Sequence, residues 1–344
     1  MIGRLVLVAL VASAAFALPA APRSVEPYGE GHINRTFHVR TDSGDYLVQR
    51  INTDVFPDVD GLMNNIRLVS THIRKKLEEA GTEDIDRKVL KFIPLKDDAD
   101  KLYCVVEGMY WRLMVFIPNA ITKQAVNPES SRAAGRAFGQ FQAMLADIPV
   151  ELGETIKDFH NMEFRLQQLH EMVEKDPVGR VSEPQVQEML VEIEKRAEEM
   201  CKAERMGREG ILPKRVCHCD TKVNNMMFDE HDNVLCVIDL DTVMPGSSLY
   251  DYGDAVRYGA CTAAEDEPDT SKIGFDMELF RAFTEGFVST TAGSLTDTEI
   301  RLLPLGIAVI TCELAMRFLT DYIDGDNYFK VSYPGHNLVR ARAQ

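Results

Sequence analysis

The sequence predicts an α+β fold, in which a small antiparallel β-rich lobe precedes a larger, mainly helical lobe. Three observations predict it. Runs rich in β-branched and aromatic residues fill most of the span from Arg23 to Ile117. Beyond Pro118, apolar residues recur at helical spacing instead. The length, 344 residues, suits two lobes or two domains. The expected division is 1–22 as an apolar N-terminal helix or signal-like segment, 23–117 as the β-rich lobe and 118–344 as the helical lobe.

The N-terminus has two readings. Arg4, the apolar run Leu5–Leu18 and Ala15-Phe16-Ala17 match a secretory signal peptide; a short helix stopped by Pro19 fits as well. The run is short for a membrane span, and no other segment reads as long and apolar enough. Thr36–Val39 and Tyr46–Ile51 are β-rich, and Asp42-Ser43-Gly44-Asp45 joins them as a hairpin turn. Leu62, Ile66, Val69, Ile73 and Leu77 place an amphipathic helix over 60–79, the one helix expected in this lobe. Lys88–Ile93, Leu102–Glu107 and Arg112–Ile117 read as three further strands, with a hinge at Phe116–Asn119.

In the second lobe, Ala134, Ala137, Phe138, Phe141, Met144 and Leu145 mark a helix ended by Ile148-Pro149. Another covers Glu163–Val173. Ser182 and Gln185 read as a capping box, with Pro184 in the first turn, for a long charged helix towards Arg205. Asn225–Phe228 and Val234–Ile238 form a short hairpin. From Phe275 onward the chain reads as largely helical, with Ile307, Ile310, Leu314, Phe318 and Tyr322 along one face of the last long helix.

The net charge of -16 disfavours nucleic acid and anionic membrane surfaces as partners. A small anion such as ATP stays permitted, because local cations and Mg2+ override the global field. Seven irregularly spaced cysteines favour a reducing compartment, and hence the cytoplasm over secretion. Cys217 and Cys219 have no second pair at zinc-finger spacing and read as buried thiols.

The chemistry concentrates in His218-Cys219-Asp220-Thr221-Lys222-Val223-Asn224-Asn225, followed past one hairpin by Val237-Ile238-Asp239-Leu240-Asp241. Phosphoryl transfer needs one carboxylate to orient the acceptor hydroxyl and take its proton. It also needs an amide oxygen and a second carboxylate to hold Mg2+ against the triphosphate. H-x-D-x-x-x-x-N and the returning Asp239 supply that set. A lone acidic loop would only cap strands, the spacing is not that of a calcium loop, and a metal hydrolase would want more His nearby. The second signal is Pro27-Tyr28-Gly29-Glu30-Gly31-His32-Ile33-Asn34, where Gly29 and Gly31 would let backbone approach phosphates. By itself it reads equally as a hairpin turn. No Val-Ala-Ile-Lys exists; Gln49-Arg50 stands where that Lys would be, so Arg50 is the candidate cation for the α/β-phosphates.

H-x-D-x-x-x-x-N and I-D-x-D resemble the motifs of the aminoglycoside-phosphotransferase/choline-kinase superfamily. The strings PYGEGHIN, YLVQRIN, GMYWRLMVFIP, CDTKVNNMMFD, VIDLDTVMPG, YDYGDAVR and RFLTDYIDGDNYFK resemble its bacterial N-acetylhexosamine 1-kinases, from about Ser24 onward. The resemblance implies a bilobal protein-kinase-like fold and ATP and Mg2+ as cofactors. It implies γ-phosphoryl transfer to the anomeric hydroxyl of N-acetylglucosamine or N-acetylgalactosamine. By motif, Asp220 is the base and Asn225 and Asp239 are Mg2+ ligands, with Asp241 assisting or bracing. Gly29, Gly31, His32, Arg50, Phe116 and Ile117 become the nucleotide contacts. It also favours an N-terminal helix over a signal peptide. Two departures stand out: Cys219 replaces a frequent Gly, and Gln49-Arg50 replaces the third-strand Lys.

For the sugar, Asp241, Arg317, Asp321 and Tyr328 are the candidates, and Arg317 and Asp321 read equally as an i,i+4 ion pair. His32 and Asn34 could touch sugar or phosphate. Phe159-His160 and Arg165 could line the pocket. Trp111 reads as core, and Asp251-Tyr252-Gly253-Asp254 as a brace for the catalytic loop. The alternatives are a choline, homoserine, fructosamine or aminoglycoside kinase, or a kinase-like binding module without activity. A choline site would show an aromatic cage, and an aminoglycoside site would be strongly acidic.

Overall fold

The computed structural model describes residues 2–29 and 33–344. The chain forms two compact units. One holds the N-terminal part to Thr122 together with Asp147–Lys157 and Met226–Met244. The other holds Lys123–Ala146, Asp158–Asn225 and Pro245–Gln344.

In the first unit, helix α1 (Ile2–Ser13) leads into strands β1 (Pro22–Pro27), β2 (Arg35–Thr41) and β3 (Gly44–Arg50). Helix α2 (Val59–Glu79), β4 (Tyr103–Val106) and β5 (Met109–Val115) follow. The antiparallel sheet runs β1-β2-β3-β5-β4. Two prolines bound β1, a strand whose limits no apolar alternation announced; as an edge strand it tolerates them. Side chains alternate across the sheet. Phe37, Val39, Tyr46, Val48, Trp111 and Leu113 pack on Val8, Ala9, Ala12 and Phe16, so α1 and its continuation roof one face. Thr36, His38, Leu47, Gln49, Arg112 and Met114 therefore fall on the other.

Two expectations change here. Lys88–Ile93 is no strand: a 3-10 turn at Ile85–Arg87 precedes a single bridge, Phe92 to Met114. Only the Ile93 amide and the Lys91 carbonyl reach β5, at 2.8 and 2.9 Å, before Pro94 ends the pairing. The hairpin Met226–Phe228 with Val234–Val237 belongs to this unit.

The second unit holds helices α3 (Pro128–Leu145), α4 (Met162–Lys175), α5 (Pro184–Met200), α6 (Lys202–Arg208), α7 (Ser248–Gly259), α8 (Met277–Thr291), α9 (Asp297–Asp324) and α10 (His336–Ala343). The Ser182/Gln185 box does not form. Pro184 fixes the first helical position, which makes Glu183 the N-cap, with no side-chain cap. The long charged helix also breaks at Cys201 into α5 and α6. Boxes form instead at Asn127/Ser130 and Thr296/Glu299. Leu249, Tyr250, Val309, Ile310, Phe318, Leu319 and Ile323 share one core with Met162, Leu169, Val186 and Leu338. Helix α9 corrects the reading that no later segment is long and apolar enough for a membrane; by length and composition it is, and half of its apolar window is buried in this unit. It carries buried Glu299, Glu313 and Asp321.

Helices α7 and α9 meet backbone to backbone. A Cβ on Gly253 would sit 2.3 Å from the Gly306 carbonyl oxygen, and one on Gly306 would sit 2.0 Å from that of Leu249. Only glycine permits that approach.

Phe16 is fully buried against the sheet. Phe16→Ala is expected to lower unfolding free energy by about 3–5 kcal/mol in urea melts. A loss below about 0.5 kcal/mol, the range of an exposed site, would show that the segment following α1 is not part of the cooperative core.

Candidate active site

The loop 218–225 takes its shape from the start of α7. Asp251 accepts from the backbone amides of His218 and Cys219, both at 2.8 Å, and from Gln142 Nε2 at 2.7 Å. Thr221 Oγ1 donates to the Asp251 carbonyl at 2.5 Å, and its amide donates to Asp254 at 3.0 Å. Arg257 holds Asp254 at 2.8 Å. Asp251 and Asp254 thus brace the loop. Burial pushes the Asp251 carboxyl above its ordinary range, against the hydrogen bonds that stabilise its charge. The His218 ring meets those of Phe138 and Phe141 in T-shaped contacts, with centroids 5.8 Å from each.

Asp220 stands at the partly exposed end of this scaffold. Lys222 Nζ is 3.0 Å from it, and Asn225 Nδ2 donates to its carbonyl at 2.8 Å and its carboxylate at 2.9 Å. Burial works against its charge. The Lys222 ammonium, with smaller help from His218 and Asn225, outweighs burial and keeps the carboxyl below its usual range. It is therefore ionised at neutral pH and able to accept a proton. Lys222 was missed by sequence reasoning, although its place two residues after Asp220 was a usable signal. The Asn225 amide nitrogen is committed to Asp220, which leaves its oxygen as the donor. A hard amide oxygen suits Mg2+.

The acceptor candidates on α9 and beyond divide. Asp321 is buried and accepts from the amides of Asn327, Tyr328 and Phe329 at 2.9, 2.7 and 2.9 Å, and from Asn337 Nδ2 at 2.8 Å. It folds the α9–α10 loop, and its lone pairs are spent there rather than on a sugar. The Arg317–Asp321 pair is absent: Arg317 turns the other way along the helix to Glu313, 3.6 Å away. Its guanidinium lies over the rings of Phe159, Phe329 and Tyr328, at 5.1, 5.5 and 6.0 Å. Tyr328 is 63% exposed. Arg165 donates twice to the Phe159 carbonyl, at 2.7 and 3.1 Å, and His160 bonds Glu313 at 2.8 Å. Nothing in the sequence pattern singled out Glu313, which gathers His160, Arg165 and Arg317.

In the first unit, Asp239 is exposed, with a left-handed backbone (φ 58°). Asp241, two residues on, is buried. Arg112 grips both of its oxygens, Nη2 to Oδ2 at 2.9 Å, and Asn34 Nδ2 donates to Oδ2 at 2.6 Å. Asp241 is thus held by protein groups, which favours bracing over substrate contact. The sheet pairing also corrects the cation assignment. Arg50 lies opposite Arg35 and Trp111, on the α1 side. Gln49 faces Asp241's side and receives Arg112 Nε at 3.0 Å, so the buried cation there is Arg112. Gly29 has φ 70°, where glycine is favoured. Gly31 and His32 lie outside the described residues. The rings of Tyr28, His38 and Phe116 cluster at 4.7–5.8 Å, and Ile117 is buried.

Residues 24–276 match the model of the APH phosphotransferase enzyme family. The chain belongs to the phosphotransferase enzyme family. The fold agrees with solved structures at low identity. A choline kinase from Cryptosporidium parvum Iowa II is 13% identical with a TM-score of 0.58, over 93% of this chain and 87% of that one. An aminoglycoside phosphotransferase from Alicyclobacillus acidocaldarius is 14% identical with a TM-score of 0.57, over 97% and 90%. A spectinomycin phosphotransferase in complex with ADP and spectinomycin is 12% identical with a TM-score of 0.56, over 99% and 93%. These likenesses establish this phosphotransferase's fold: an antiparallel N-terminal sheet and a helical C-terminal part.

Arg112→Met strands the Asp241 carboxylate in a buried setting. The expected cost is about 3–5 kcal/mol of stability by chemical denaturation. An unchanged denaturation midpoint would mean that Asp241 is hydrated and the pair is not structural.

Proposed function

We propose that this phosphotransferase is an ATP-dependent kinase acting on the anomeric hydroxyl of N-acetylhexosamines, giving the sugar 1-phosphate. The observation that carries the kinase half is Asp220, held ionised by Lys222 and fixed by the Asp251/Asp254 brace. Asp220 accepts the C1 hydroxyl proton as that oxygen forms its bond to the γ-phosphorus and ADP leaves. By the family motif, Asn225 and Asp239 are the proposed Mg2+ ligands. Mg2+ supplies neutralisation of charge on the phosphates. Gly29, Gly31 and His32 remain the proposed phosphate contacts, and Phe116 and Ile117 those of the base. Arg50 is not carried forward, because its strand position turns it towards α1.

The acceptor half rests on the quoted strings, and one feature favours it over a cationic acceptor. Phe159, Tyr328 and Phe329 are the kind of aromatic set that could cage a quaternary ammonium, but the chain's own Arg317 already fills it. A second cation there would meet repulsion from Arg317 and Arg165. A neutral hexosamine would meet hydrogen-bond donors and an exposed ring, Tyr328. Free thiols at all seven cysteines and the use of ATP support the cytoplasm as the proposed location.

The test is turnover with ATP and Mg2+ on a panel of hexosamines, choline and aminoglycosides, with the product assayed for C1 phosphate. The expected product is N-acetylhexosamine 1-phosphate; phosphocholine without sugar phosphate would overturn the acceptor. Asp220→Asn is expected to lose on the order of 10²–10⁴ in kcat with the fold retained. Undiminished turnover in that variant would sink the role given to Asp220.

A further inference from the structure

The residue before the proposed base is in a conformation that L-residues avoid. Cys219 has φ 62°, in the left-handed region. An L side chain there costs roughly 1–2 kcal/mol. The superfamily it resembles often has glycine here; this chain adopts the left-handed conformation with cysteine. Two side chains hold the Cys219 backbone in compensation. Asp251 Oδ1 takes its N–H at 2.8 Å, and His160 Nε2 bonds its carbonyl oxygen at 3.0 Å.

His160 is fixed in turn. Its Nδ1 lies 2.8 Å from Glu313 Oε2. Both partners of the ring, a carbonyl and a carboxylate, only accept. Each ring nitrogen must therefore carry a proton, so the bound form is the imidazolium. Glu313 is buried, and Arg317 and Arg165 stand 3.6 and 3.8 Å from its other oxygen. The rings of Phe159 and Tyr250 pack on the imidazole at 4.5 and 5.6 Å. Burial works against charge on His160, and the Glu313 carboxylate outweighs it.

We propose that His160 is a positioning residue that clamps the left-handed Cys219 peptide, and so fixes the direction in which Asp220 leaves the loop. The clamp also joins that loop to the α9 cluster of Glu313 and Arg317. The proposal rests on the reading of Asp220 as base. The clamp acts on the geometry of the base rather than on nucleotide affinity. Losing it should lower kcat and leave the KM for ATP in place. It should matter less once residue 219 accepts the left-handed region unaided.

The test compares His160→Ala, His160→Gln, Cys219→Gly, His160→Ala with Cys219→Gly, and Asp220→Asn. Each is measured for kcat and KM with Mg-ATP and N-acetylglucosamine, for melting temperature, and for backbone amide exchange across 218–222. His160→Ala is expected to lose on the order of tenfold to a hundredfold in kcat, as misplacement of a reacting group does. Its KM for ATP should hold, and exchange in the loop should rise. His160→Gln, whose amide can still donate to the carbonyl, should lie between Ala and wild type. If His160→Ala does not fold, the comparison of His160→Gln with wild type carries the test. Cys219→Gly should raise kcat and lower exchange in the His160→Ala background by more than it does in wild type. Wild-type kcat and exchange in His160→Ala would overturn the clamp. So would a loss that neither Gln nor Cys219→Gly relieves. Full turnover in Asp220→Asn would sink the base reading instead. The exchange measurements need no acceptor, so they decide the clamp even if N-acetylglucosamine is not phosphorylated.

Discussion

A buried carboxylate accepting two consecutive backbone amides is the constraint on which the helical unit depends. Asp251 holds His218 and Cys219, and the same residue's carbonyl takes the Thr221 hydroxyl. Once those bonds are made, the direction of Asp220 is a property of where α7 lies. The position of α7 comes in turn from the Gly253–Gly306 contact with α9. A packing fact between two helices is thereby converted into the placement of a reactive oxygen. The carboxylate that does this is withdrawn from water, which makes the arrangement stiff: to break it would leave a buried charge or two buried amides without partners.

The sheet unit uses the same logic with side-chain donors in place of backbone amides. There the buried group is Asp241, and the ties are Arg112 on β5 and Asn34 at the start of β2's approach. Asn34 also accepts from the Asn52 amide at 3.0 Å. One carboxylate thus joins the end of the glycine-containing loop, the middle of the sheet and the loop that carries Asp239. Its neighbour Asp239 stays exposed. Two acidic residues two positions apart in the chain thus differ in burial, Asp239 before the 3-10 turn Leu240–Thr242 and Asp241 within it.

Much of this was legible. The α+β order, the burial of Trp111 and the contacts of Asp251 and Asp254 with the 218–221 loop could be read, the first from periodicity and the others from residue type and motif order. Reading failed where a partner is distant in sequence. Arg112 and Asp241, or His160 and Glu313, meet only through tertiary packing, and no periodicity encodes that. It failed also where one residue shifts a register: Pro184 moved the N-cap by one position and dissolved an apparent capping box. The assignment of Arg50 failed on parity. One residue along a strand changes the face: Arg50 shares the face of Trp111, while Gln49 accepts from Arg112 on the other.

The order of the units along the chain bears on how the protein is made. The loop from His218 to Asn225 is synthesised well before α7 and long before α9. Yet Asp251 and Asp254 set its shape, and Glu313 supports the histidine that touches it. A chain emerging from the ribosome therefore carries the complete motif through a stage in which the carboxylates of α7 and α9 cannot yet hold it in form. Domains tend to fold as units during synthesis, and this one cannot close until its penultimate helix has appeared. The segment richest in chemistry exists before the helices that shape it and becomes competent only after they arrive.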